Sequence, residues 1–226
     1  MDNSDIRYRA RQTLAGKWGI AILAGFLAAL LGGLVSSGGS SLNLELDEHD
    51  LARLPDIVKM YLLFAGSIGG VLGLAQMIIG GVVELGYSKF LLKMHDGEDA
   101  QVNDLFSQFH RFGDGFCQSL LRGIYVALWT MLFIIPGIIA SLKYAMTPFI
   151  MAENPDMTAS EGIAASKQLM DGYKADLFFL DLSFIGWGIL NVFTLGIGSL
   201  WLVPYINASY AAFYRSICNQ RENVVE

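Results

Sequence analysis

Residues 123–142 read GIYVALWTMLFIIPGIIASL, twenty consecutive positions without Asp, Glu, Lys or Arg. An apolar run of 18 or more residues is long enough to cross the hydrocarbon core of a bilayer as a helix. Pro136-Gly137 interrupts this one, and a proline inside a helix removes a backbone donor and disrupts the turn before it. The pair therefore either kinks one span or turns the chain between two. Beyond it, Gly137–Ala152 carries a single charge, Lys143. Basic residues separate the two readings. With an outer turn the chain makes six crossings, and twelve basic residues lie inside against Arg53 outside, with Lys59 and Lys143 at or within spans. With a kink it makes five crossings, and the division becomes eight inside against seven outside. Short cytoplasmic loops concentrate Lys and Arg, which selects the turn. Sixteen residues rise only about 24 Å, short of a ~30 Å core, so the fourth element is tilted, re-entrant or thins the bilayer locally.

Three more uncharged runs, 18–44, 60–83 and 182–214, bring the total to 104 of 226 residues. The whole chain is 54% hydrophobic and 16% charged, with mean hydropathy +0.46. Soluble domains carry about 25% charged residues. This composition excludes a soluble enzyme, a nucleic-acid reader and a disordered chain. It points to an all-α, polytopic transmembrane bundle forming one integral membrane domain over residues 1–226.

The ends of the runs fix the topology. Residues 1–17 carry Arg7, Arg9, Arg11 and Lys17, and Ile6, Ala10 and Leu14 share one face, so this segment reads as a basic interfacial helix feeding the first span, Trp18–Val35. A signal peptide is the rival reading of residues 1–37. The long basic lead and the apolar face speak against it. The 38–56 loop is acidic and belongs outside. Both termini are then cytoplasmic. The second span runs from about Ile57 to Val83, and its Gly66, Gly69, Gly70 and Gly73 lie four apart in two overlapping pairs, a spacing that lets helix backbones approach closely in lipid.

Residues 84–122 and 153–176 are the cytoplasmic segments. In the first, Val102, Leu105, Phe106, Phe109, Phe112, Phe116 and Leu120 form an apolar stripe, with Asp104, Arg111 and Asp114 opposite. This predicts an amphipathic helix along the inner leaflet, broken at Gly113 or Gly115. In the second, Thr158-x-x-Glu161 is a capping box and Gly172 a stop. The last run is too long for one span. Thr194–Ser199 is its outer turn, between a fifth span near Leu177–Phe193 and a sixth near Leu200–Ile217 that contains Pro204.

Motifs with chemistry in them are scarce. His49, His95 and His110 stand apart, no metal-ligand spacing occurs, and Cys117 and Cys218 are lone cysteines on the reducing side. No catalytic set, cofactor or metal is expected. Polar groups within spans are the usual pointer to function in membrane proteins. Glu84, Lys143, Asp181, Asn191 and Asn207 qualify here. In the six-span arrangement Lys143 and Asp181 lie about 15 Å apart along the membrane normal, so each is expected to snorkel to its own surface.

A set of local sequences carries a family resemblance. It comprises Leu14-Ala15-Gly16-Lys17-Trp18-Gly19, Leu85-Gly86-Tyr87, Asp104-Leu105-Phe106 with Phe109 and Phe112, and Ile135-Pro136-Gly137-Ile138-Ile139. Ser166, Leu169-Met170-x-Gly172, Leu182–Trp187, Pro204-Tyr205 and Phe213-Tyr214 complete it. Almost end to end, the chain resembles bacterial integral membrane proteins known as a domain of unknown function, number 975. The resemblance implies a multi-helix protein of the bacterial plasma membrane and transfers no catalytic residue. Pro136-Gly137 and the helix after it are also similar to the membrane part of some glycerophosphodiesterases, whose phosphodiesterase domain is not among these residues. The function expected is a non-catalytic bundle that organises lipids or partner proteins. Its partners would be membrane lipids, a membrane protein or a second copy of the chain, and not nucleic acid. A small transporter or exporter of an amphiphilic lipid or peptide is the alternative, motivated by Gln76, Asn191 and Asn207.

Overall fold

The structure is a computed structural model and describes residues 3–32, 76, 78–194 and 197–225. Its elements among those residues are helical. They are α1 (Asn3–Leu14), α2 (Trp18–Gly32), α3 (78–95), α4 (Phe112–Leu132), α5 (Ile134–Tyr144), α6 (Thr147–Glu153), α7 (Ala159–Leu169), α8 (Lys174–Phe193) and α9 (Ser199–Val225), with short 3₁₀ turns at Val102–Phe106 and Phe109–Arg111. The 38–56 loop and Gly66, Gly69, Gly70 and Gly73 lie outside the described residues.

α1 forms as its pattern predicts. Asp5 in its first turn and Arg11 in its last oppose the helix dipole, and Ile6, Ala10 and Leu14 are buried against α9. Gly16 takes φ +77°, a left-handed conformation that suits glycine, and the chain turns by 100° into α2. α2 presents Ile20, Leu23, Phe26 and Leu30 outward at helical spacing.

The turn in the 123–142 run exists, but its corner is at Phe133 rather than Pro136-Gly137. Phe133 is extended at φ −160°, ψ 150° between α4 and α5. Pro136 sits in the first turn of α5, where a missing N–H costs nothing. Gly137 instead serves packing, since a Cβ there would stand 2.8 Å from the Thr130 Cα. Tyr125 and Tyr144 meet lower down the hairpin with ring centroids 5.8 Å apart. α8 and α9 make a second hairpin, joined where Thr194–Ser199 was expected to turn. The Phe184 ring packs edge-on to Tyr205 at 5.4 Å, and α9 runs through Pro204.

The expected amphipathic helix over 102–120 is corrected. The chain makes two 3₁₀ turns and begins α4 only at Phe112, ahead of both glycines. Arg111 supplies the reason. Placed on the polar side by the stripe, it is in fact buried. It donates to the carbonyls of Met151 (2.9 Å) and Met157 (2.6 Å), capping the exit of α6. Lys93 pins the preceding turn through Asp104 at 2.7 Å. A continuous helix could not aim both groups so.

α4 also crosses α3 with backbones nearly touching. A Cβ on Gly81 would lie 2.7 Å from the Gly115 carbonyl carbon, and one on Gly115 2.7 Å from the Val82 Cα. The capping box at Thr158 forms, with the Glu161 carboxylate accepting from the Thr158 N–H at 2.8 Å. Gly172, at φ +88°, follows the end of α7 as read. A base of ion pairs closes this end of the bundle. Arg215 of α9 bridges Asp96 after α3 and Glu153 at the end of α6, and Arg221 donates to Gln168 and Leu169 at the end of α7. Above the base the interior is apolar, with Leu14, Phe90, Leu105, Met146, Leu177 and Phe213 fully enclosed.

Candidate functional site

Glu84 follows the uncharged run 60–83 and Arg122 precedes the run 123–142. The fold brings these two edges together. α3 carries Glu84; α4 carries Gln118 and Arg122, one turn apart on the same face. Arg122 Nη2 donates to both carboxylate oxygens of Glu84, at 2.7 and 3.0 Å, and Gln118 Nε2 donates to Oε2 at 3.2 Å. The side chains retain only 14% and 18% exposure, so this is an interior pair.

Asp181, which precedes the run 182–214, stands across the same space on α8. Its carboxylate accepts a hydrogen bond from the Tyr210 hydroxyl of α9 at 2.6 Å. Between the two acids lies a chamber of about 220 Å³, whose wall also includes Ser88, Ser141 and Asn207. Asn207 donates to the Val203 carbonyl one turn back, at 2.8 Å. Tyr87, at the chamber wall, is buried, and its hydroxyl has no hydrogen-bond partner among the described residues. A polar chamber of this size holds several waters or one small polar solute. Two carboxylates and one guanidinium around it suit a proton or a small cationic group better than an anion.

Three of the five polar residues singled out in the sequence, Glu84, Asp181 and Asn207, therefore share one chamber. Lys143 does not join them. Its backbone carbonyl accepts from Ser166 Oγ of α7 at 3.0 Å, and its charge acts on Asp171 just beyond α7. The corner at Phe133 explains this, because ten residues of helix carry Lys143 back to the level of Arg122. Asn191 lies apart, in a larger cavity of about 530 Å³ beside the α8–α9 turn. Gln76 donates to the Leu30 carbonyl at 3.1 Å. Arg122, Tyr87 and Tyr210, which line the chamber, and Gln118, which donates to Glu84, are the residues that the sequence reading missed. The position of Arg122 at the edge of an uncharged run was the available signal.

Among the described residues no three His, Cys, Asp or Glu side chains converge in a manner that would hold a metal ion, and no disulfide joins Cys117 and Cys218. Near the base, His95 Nδ1 lies 3.3 Å from the Thr13 hydroxyl. Burial lowers its pKa below the ordinary histidine value, Arg215 and Arg9 add to that, and Asp96 opposes it. The Glu161 carboxyl is held below its usual range by the backbone and side chain of Thr158.

The family described as protein of unknown function (DUF975) matches over residues 1–141 and 131–221. No curated protein and no solved structure matches the chain.

Proposed function

We propose, from the premise that this chain belongs to the family of proteins of unknown function DUF975, that it is a bilayer-embedded, non-catalytic helical bundle that binds and arranges lipids or partner proteins in a bacterial plasma membrane. One observation carries the reading. The tip of the α4–α5 hairpin is bare hydrocarbon: Met131 is 90% exposed, and Phe133, Ile134 and Ile135 are each 70–72% exposed. An apolar patch of this kind is a liability in water and ordinary in lipid. Leu128, Ile185, Ile189, Leu190 and Phe193 extend it around the two hairpins. The charged groups Arg122, Lys143 and Asp181 stand at the hairpin bases.

Length supports the same placement. Ile134–Glu153 is apolar and long enough to cross a membrane, and α1 with α2 passes the same test as a bent pair. Each hairpin returns the chain to the side it left, so both termini share the cytoplasmic side with the basic first segment. The uncharged limbs of the α4–α5 hairpin, 123–132 and 134–142, are however ten and nine residues, about 15 Å and 14 Å, half of a ~30 Å core. We therefore assign this hairpin as re-entrant, dipping and returning, which leaves four of the six crossings. The sidedness of the termini is unaffected.

The test is extraction. The protein is expected to sediment with membranes after alkaline washing and to need detergent for monodispersity. Recovery as a folded, monodisperse species in plain buffer would remove the proposal. A second reading, a small transporter of an amphiphile, is supported by the chamber between Glu84 and Asp181, whose size and charge suit a coupling proton or small cation rather than the amphiphile itself. Proteoliposomes in which Asp181→Asn abolishes flux of a lipid or peptide would establish it over the first.

A further inference from the structure

The larger cavity is a groove on the outside of the α8–α9 hairpin, and its chemistry is of two kinds. Its wall is aromatic and aliphatic, formed by Trp18, Trp187, Leu190, Trp201 and Leu202. Three of the chain's four tryptophans are there. At one end stands Arg11. Its Nε donates to the Tyr205 hydroxyl at 3.1 Å, and its guanidinium sits 5.4 Å from the centre of the Tyr205 ring. The Tyr205 hydroxyl is its hydrogen-bond partner among the described residues. Among the described residues the two Nη groups have no partner, and their fork of N–H donors fits the oxygens of a phosphate or carboxylate. From Tyr205 the groove climbs α9 to Gly198, seven residues or about 10 Å toward the apolar tip. At about 530 Å³ it lies within the ordinary range of small-molecule sites, about 300–1,000 Å³.

A cation at the base of a hairpin, with an apolar trough rising from it, is complementary to an amphiphile with an anionic head. We propose that this groove is a site for an anionic phospholipid of the inner leaflet, its phosphate on Arg11 and one acyl chain along Trp18, Trp187, Leu190 and Trp201. The proposal rests on the bilayer placement above, and the experiment separates the two. The Trp129→Phe protein, whose remaining tryptophans all line the groove, is reconstituted into vesicles carrying acyl-brominated phosphatidylglycerol or acyl-brominated phosphatidylcholine. Flotation with the vesicles tests placement; quenching tests the site. Quenching is expected at a phosphatidylglycerol fraction about fivefold lower than for phosphatidylcholine, the preference one cationic side chain gives near an anionic lipid. Arg11→Gln should erase that preference, Arg11→Lys should retain part of it, and Arg9→Gln, which removes a cation paired with Asp5 at 2.8 Å, should leave it unchanged. Inorganic phosphate alone should not change the fluorescence. A protein that floats with vesicles yet shows equal quenching by both lipids, no quenching by either, or an undiminished preference in Arg11→Gln overturns the site while leaving the membrane placement standing.

Discussion

Arg122 on α4 holds both carboxylate oxygens of Glu84 on α3, and so ties the start of one uncharged run to the end of another. Removing one partner from a buried ion pair costs about 3–5 kcal/mol, because the other charge stays behind without compensation. Arg122→Ala should therefore destabilise the detergent-solubilised protein by about that amount. Glu84→Gln combined with Arg122→Met, which removes both charges and keeps volume, should cost clearly less than Arg122→Ala alone. Thermal unfolding of the wild type, Glu84→Gln, Arg122→Met and the double variant closes the cycle and gives the coupling directly. Strictly additive effects would mean that the two side chains act independently.

A second expectation concerns the crossing of α3 and α4. Because a Cβ on Gly115 would overlap the Val82 backbone, Gly115→Ala must push the helices apart, and overpacking of this sort costs typically about 1–3 kcal/mol. Gly113, two residues earlier on α4, has open space around its Cβ position. There the same substitution should be neutral or slightly stabilising, since alanine favours helix over glycine by roughly 1 kcal/mol. Equal melting shifts for the two variants would contradict the crossing.

How much of this was legible beforehand divides along a physical line. Periodicity and charge placement expose local facts. The buried face of α1, the capping box at Thr158 and the two hairpins all follow from side-chain spacing and backbone donors. Glu84, Asp181 and Asn207 were also found, because an ionisable or amide group at the edge of or within an apolar run is visible in one dimension. What spacing cannot show is a long-range acceptor. Arg111 fits the polar side of a helical stripe, yet its carbonyl partners on and beyond α6 are forty or more residues away, and they break the helix the stripe predicts. The corner of the 123–142 run was misread by three residues, Pro136 for Phe133, because a proline in the first turn of a helix and a proline in a turn look alike in one dimension. Arg122 was passed over because its value depends on Glu84 arriving opposite it.

A third prediction is a pH dependence from His95. Its ring faces Thr13 on α1, with Asp96 beside it and Arg215 and Arg9 nearby, and burial holds its folded pKa below 6.5. The folded protein therefore binds fewer protons at this site than the unfolded chain. Stability is undiminished above about pH 6.5 and falls as pH drops from there toward the folded pKa, below which the loss levels off. His95→Gln, which cannot titrate, should flatten that part of the melting profile. A profile with the same slope between pH 7 and pH 5 in both proteins would place the sensitivity elsewhere.

The depth of the α4–α5 hairpin provides the last. Its base is marked by Arg122 and Lys143, its corner by Phe133, and ten residues of helix on either side reach about 15 Å. In the proposed placement, with that base at the interface, a tip at this height would lie near the middle of a bilayer, where the exposed Met131, Ile134 and Ile135 would meet acyl chain ends rather than headgroups. Phe133→Trp, placed in the Trp129→Phe background and read against that parent, should be quenched most by lipids brominated at the acyl terminus. A crossing hairpin would place the same tryptophan at the far interface, where lipids brominated near the headgroup quench best. Ile134→Asp adds an energetic reading, since an aspartate at the centre of a membrane helix costs about 2.5–3.5 kcal/mol and one at the interface much less. A mid-bilayer tip thus predicts both maximal quenching from chain ends and a substantial insertion defect in Ile134→Asp. A tip at the far surface predicts neither.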